Sequence, residues 1–199
     1  MFAVRFQTPP SLNRFLDCLK PAGRHHLFSA AAASVSNLVR RHIAADAPRR
    51  HFSSSRLGAA PTGFMEKAAR KTVFSADAQH GEVVIPSPGF GRAFHDVEIR
   101  PTHGAALTLP ISEFSYGRRV KEMTAMGWRI FRPKCNQSKD IDGSTLWGGL
   151  KGDQPIPLYI LKKRVRQRQD RTLLPSDAAI STTASRAMIS VINLISKVA

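Results

Sequence analysis

Six cations crowd into residues 162–171: Lys162, Lys163, Arg164, Arg166, Arg168 and Arg171, inside LYILKKRVRQRQDRTLLPSD (158–177). Arginine offers a planar fork of donors that matches phosphate or carboxylate oxygens in pairs, and lysine adds compact positive charge. The chemistry open to such a run is capture of an anionic surface, either DNA phosphates without base reading or an acidic protein. The competing reading is a solvated strand end and loop whose charge meets only water. Tyr159 is the one aromatic residue close by, so stacking of single-stranded bases, which needs aromatic platforms, is disfavoured.

The other candidates for chemistry fall away on spacing. There are seven histidines, but His25 and His26 are neighbours that point to different helix faces. His42 lies too far along to join them, and no HExxH or paired-carboxylate frame accompanies them. GFGRAF (89–94) lacks the Lys-Ser/Thr ending of a phosphate loop and reads as a flexible turn. Asp96 and Glu98 share a strand face, yet Arg100 beside them makes a cross-strand charge pattern the simpler reading. Cys18 and Cys135 are widely separated and read as free thiols, with a single disulfide as the alternative. Trp128, Phe131 and Trp147 read as core packing on strands, with interface anchoring as the alternative. No nucleophile–base pair or acid–base pair is recognisable. The expectation is therefore a non-enzyme with no catalytic residues, no cofactor and no metal.

The 199 residues carry 30 Lys and Arg against 14 Asp and Glu, a formal net charge of +16. Such an excess implies attraction to polyanions or acidic surfaces and is silent on fold. Residues 1–60 hold nine basic and two acidic residues, 61–154 thirteen and ten, and 155–199 eight and two. Both ends are basic and the middle is nearly balanced. No apolar run reaches the length of about 18 residues that a membrane span needs, so no membrane partner is expected. The start of the chain is rich in Arg and Ser and poor in acid, as a mitochondrial presequence is. It reads alternatively as a short strand and helical segments of the domain.

The elements that must position the run follow from periodicity. FAVRF (2–6) reads as a strand and SLNRFLDCL (11–19) as a short helix ended by Pro21 and Gly23. Over 24–46, Leu27, Ala31, Val35, Leu38 or Val39, and His42 or Ile43 recur at helical steps. Residues 47–61 read as a polar loop. Residues 63–71 read as a helix capped by Thr62. TVFSAD (72–77) and GEVVIP (81–86) form a hairpin pattern, and 86–91 a turn-rich loop. Further strands are expected at 94–99, 106–111, 128–132, 145–150 and 156–161, the last extending toward Val165. Residues 112–126 carry mixed helical signals, with Ser112 as a candidate cap. Ile180, Ala184, Ala187 or Met188, Val191 and Ile195 mark a final helix from Ser176. Strands this closely spaced leave no room for helical crossovers. The expected fold is α+β: a mostly antiparallel sheet of about five to six strands, covered by an N-terminal and a C-terminal amphipathic helix. Residues 1–23 are an extension, and 24–199 a single domain.

Five blocks, in this order and spacing, carry a resemblance: ASVSNLVRRHI (33–43), RLGAAPTGFMEKAAR (56–70), VVIPSPGFGRAFHDVEIRPTHGAALTLPI (83–111), SYGRRVKE (115–122) and LYILKKRVRQRQDRTLLPSDAAI (158–180). As a set they resemble the virion morphogenesis proteins of bacteriophages and prophages, which are akin to tail-completion and head–tail joining proteins. The resemblance covers most of residues 25–190. It implies a small structural subunit, built into a homo-oligomeric ring at the junction of capsid and tail or at the tail's end, with no catalytic site. It matches Ile99, Pro101, Leu107 to Ile111 and Tyr159 to Leu161 to the family's sheet core. Lys162 to Arg171 match a basic loop before its last helix. The partners it implies are other phage head, neck and tail proteins, with non-specific contact with genomic DNA. The location is the virion, and the host bacterial cytoplasm during assembly. Residues 133–155 make a longer polar connection than the family pattern, and residues 1–23 lie outside it. A second expectation rests on the net charge of +16 and the presequence-like start: a basic, non-sequence-specific nucleic-acid-binding module, organellar or ribosomal.

Overall fold

The computed structural model describes residues 2–5, 20–133 and 141–198. The expected helix over 11–19, Cys18 and Cys135 lie outside the described residues. In chain order the elements are β1 (Phe2–Arg5), α1 (Pro21–Asp46), a 3-10 turn (Ala47–His51), α2 (Phe52–Arg56), α3 (Phe64–Lys71), β2 (Val73–Ala76), β3 (Gly81–Ile85), α4 (Pro88–Arg92), β4 (Val97–Ile99) and β5 (Leu107–Pro110). They continue with α5 (Val120–Ala125), β6 (Arg129–Phe131), β7 (Thr145–Gly149), β8 (Ile156–Lys162), β9 (Val165–Gln167), a second 3-10 turn (Arg171–Leu173) and α6 (Asp177–Val198). The protein is α+β and every strand pairing is antiparallel. The strands divide among three sheets, ordered β1-β3-β2, β4-β9 and β5-β8-β7-β6. The described residues form two compact units: 1–48, 63–95 and 169–199 in the first, 49–62 and 96–168 in the second.

In the first unit, α1 starts at Pro21, with the proline at the first helical position. Its missing N–H is one that a helix start leaves unpaired anyway. Pro21 thus opens this helix, where the sequence pattern made it the end of the previous one. Leu27, Phe28, Ala31, Ala32, Val35, Ser36, Val39 and Ile43 are buried, the three- and four-residue steps of a single stripe. That stripe packs against α6, α3, β2 and β3, and α6 answers with Ile180, Ala184 and Met188. Leu27 and Ile43 are completely buried, and truncating either to alanine costs about 2–5 kcal/mol. α6 begins where its sequence promised: the Ser176 carbonyl accepts from Ile180 N at 3.0 Å, and its Oγ accepts from Ala179 N at 3.3 Å.

Three local expectations are corrected here. Residues 47–61 hold a 3-10 turn and α2, not an irregular loop. The N-cap position of α3 is Gly63 at φ 65°, not Thr62; the left-handed turn there suits a residue without Cβ. The turn-rich 86–91 contains α4, which buries Phe90 in the first core. The expected hairpin forms as β2–β3, with Val73 opposite Val84 through Ala76 opposite Gly81. Asp77 closes its turn by accepting from Gln79 N and His80 N at 2.6 and 2.8 Å.

The second unit has its own smaller core: Met123, Leu158 and Tyr159, packed with Val120, Trp128, Ile130, Leu146 and Ile156. β8 lies inside the four-stranded sheet, between β5 and β7. Ser115, fully buried, donates its hydroxyl to the Leu158 carbonyl at 2.6 Å and ties the turn before α5 to β8. The Tyr159 hydroxyl donates to the Arg118 carbonyl at 3.1 Å, and burial pushes its phenol pKa up. α5 starts at Val120 with Arg119, not Ser112, at the N-cap; Glu122 accepts from Arg119 N at 2.8 Å.

Candidate anion-contact surface

β8 carries the apolar half of the basic segment into the second core, with Leu158 and Tyr159 buried and Leu161 nearly so. Its partner is β5: Leu107 faces Lys162, Thr108 Leu161, Leu109 Ile160 and Pro110 Tyr159. The ladder stops at Lys162, because the next amide, Lys163 N, donates to Asp142 Oδ1 at 2.9 Å. Asp142 Oδ2 stands 3.8 Å from Lys162 Nζ. One carboxylate therefore terminates the strand and sits beside its first cation.

The run does not continue as an extension of β8, nor as a loop. After the bend at Lys163 the chain re-enters a ladder as β9, paired with β4 in a separate sheet. Val97 faces Gln167, Glu98 faces Arg166 and Ile99 faces Val165. Arg166 lies within β9, Arg164 and Arg168 flank it at either end, and all three are exposed. Arg171, also exposed, belongs to the 3-10 turn of the first unit, where its Nε donates to Gln169 Oε1 at 3.4 Å.

Glu98 is the acidic member of the ribbon. It accepts from Arg100 Nε at 2.6 Å and from Arg164 Nη1 at 3.4 Å. The hydrogen bond from Arg100, opposed by some desolvation and aided by the charges of Arg100 and Arg164, holds its carboxyl below the usual carboxylate range. Arg166 and Arg168 have no ion pair among the described residues and present their guanidinium groups to solvent. An exposed set of arginines around the Glu98 carboxylate can hold oxyanions at its surface.

The sequence pattern identified the cations and missed the two carboxylates that organise them. Glu98 was legible as a member of a charged strand face, but its strand partner was not. Asp142 had no signal beyond an Asp-Gly turn. Of the other candidates, His25 and His26 make an edge-to-face ring pair with centroids 5.9 Å apart. Among the described residues no three His, Cys, Asp or Glu side chains could hold a metal ion. Trp128 packs with the second core and lies 5.5 Å from the Phe114 ring, whereas Phe131, opposite Trp147, is largely exposed. No described helix is long and apolar enough to cross a membrane.

No family model matches the chain, and no curated protein or solved structure matches it.

Proposed function

We propose that the chain is a structural subunit of a phage or prophage particle, acting at the head–tail junction or tail terminus as a member of a homo-oligomeric ring. The basic ribbon is its contact surface for genomic DNA or an acidic neighbour. The observation in favour is the pairing of two blocks of the resemblance: LTLPI and LYILKK lie side by side as β5 and β8, with cations leaving the sheet at Lys162. A ring would set several copies of Arg164, Arg166 and Arg168 around one axis, where a few weak phosphate contacts per copy add up.

The test is the mass of the purified full-length chain in solution, together with negative-stain images in the presence of neighbouring particle proteins. A closed ring, alone or on particles, is the expected result. A strict monomer that never enters particles overturns the proposal. A second reading, a nucleic-acid-binding module, draws on the exposed arginine face and the net charge of +16. Replacing Lys162, Lys163, Arg164 and Arg166 with Gln separates the two. Loss of duplex affinity with assembly intact favours the binding module, and loss of particle completion favours the junction subunit.

A further inference from the structure

Ser34, Asn37 and Arg41 follow one another along α1 at steps of three and four, and Thr183, Arg186 and Ser190 repeat those steps on α6. Together they line a groove of about 380 Å³ in the first unit, within the volume range of small-ligand sites. The spacing keeps each trio on one helix face, beside the apolar seam where α1 packs against α6. Two guanidinium groups, three hydroxyls and an amide line it together with Ala187, and no carboxylate is among the lining residues.

The arginines are prepared unequally. Arg41 Nε donates to the Asn37 carbonyl at 3.3 Å, which anchors the guanidinium on its own helix and leaves its Nη groups available as donors. Arg186 is exposed and makes no side-chain bond among the described residues. The Ser190 hydroxyl donates to the Arg186 carbonyl at 2.9 Å and can rotate toward a new acceptor. Donors in this number, with no competing acid, suit an oxyanion whose oxygens accept from several directions. Paired arginine forks favour phosphate above a singly charged carboxylate.

We propose that the α1–α6 groove is a phosphate-binding site, with Arg41 and Arg186 clamping the oxyanion and Ser34, Asn37, Thr183 and Ser190 donating to it. The site is independent of the basic ribbon, since none of its residues belongs to 162–171. The phosphate comes either from a free small molecule or from a nucleic-acid backbone.

Backbone amide NMR of the full chain, titrated first with inorganic pyrophosphate and then with a short DNA duplex, tests this. Saturable shifts at Ser34, Asn37, Thr183 and Ser190 with pyrophosphate support a small-molecule phosphate site. The same shifts with duplex alone support a backbone phosphate. In either case the R41Q/R186Q variant should weaken binding at least about tenfold. The variant K162Q/K163Q/R164Q/R166Q should leave pyrophosphate binding unchanged. Both arginines are exposed, and an unaltered far-UV circular dichroism spectrum verifies the fold of R41Q/R186Q. Absence of shifts with both probes, or shifts that persist in R41Q/R186Q, overturns the proposal.

Discussion

Glu98 lies directly across the β4–β9 ladder from Arg166, yet its carboxylate is taken by Arg100 and Arg164. The cross-strand neighbour is thereby left to solvent, so Glu98 partly neutralises two cations without occupying the third. Replacing Glu98 with Gln removes that negative charge from the contact face. Affinity for duplex DNA at low salt should rise roughly two- to fivefold, measured by fluorescence anisotropy. Unchanged or weaker binding would argue against the ribbon as the contact surface.

The same carboxylate carries a pH signature. Its folded pKa is depressed by the Arg100 hydrogen bond and by the nearby guanidinium charges, so its contribution to stability is present above the usual carboxylate pKa. It is lost as pH falls from there through the depressed value. Carboxyl-carbon NMR of Glu98 should titrate below the ordinary glutamate range, and R100Q should return it toward that range.

Shedding cations from the run should appear in the salt dependence of binding. If Lys162, Lys163, Arg164 and Arg166 each meet a phosphate, their replacement by Gln lowers the slope of log K against log salt by about 3–4. Arg164 and Lys162 already stand beside carboxylates, so their share of the drop should be the smaller one. A slope that does not move excludes the run from DNA contact.

Two variants probe the frame that holds the ribbon. A Cβ at Gly148 would stand 2.6 Å from Leu158 Cδ1 and 3.0 Å from the Arg129 carbonyl, so G148A overpacks the seam of β6, β7 and β8 and should cost about 1–3 kcal/mol. G91A, with nothing within 4 Å of its new Cβ, is the matched control and should be nearly neutral. S115A removes the donor to the Leu158 carbonyl, but that oxygen keeps Ile111 N at 2.9 Å. The loss should stay near about 1 kcal/mol in chemical denaturation.

In the first unit, Arg40 donates both Nε, at 3.1 Å, and Nη2 to the Thr72 carbonyl, joining α1 to the end of α3. R40M keeps much of the aliphatic stem and removes both donors. It should destabilise the protein by about 1.5–3 kcal/mol, read from the urea midpoint.

The two long helices and their buried stripes were legible because a 3.6-residue period repeats over many turns: Leu27, Val35 and Ile43, then Ile180, Ala184 and Met188, are buried as their spacing requires. The α+β class followed from the short antiparallel strands between them. Partition into three sheets was not legible. The break at Lys163 is set by one bond from Asp142, 21 positions earlier in the chain, and periodicity carries no trace of so distant a partner. The helices at Phe52–Arg56 and Pro88–Arg92 escaped notice because Ser, Gly and Pro dominate them, residues whose intrinsic preference is for turns; tertiary burial of Phe90 overrides it. The cations of the surface could be read by eye, but Glu98 and Asp142 act through pairings that only the fold creates. The α1–α6 groove was invisible for the same reason, since its two trios lie far apart in sequence.

The chain passes between its two units at 48/49, 62/63, 95/96 and 168/169. A ribosome therefore delivers α1 long before α6, and the part of the α1 stripe that α6 covers must wait through the synthesis of the whole second unit. The second unit, whose core comes from residues 120–159, can close while the first is still open. Nascent chains stalled near residue 170 should bind hydrophobic-surface chaperones through α1, and release should coincide with emergence of the last helix.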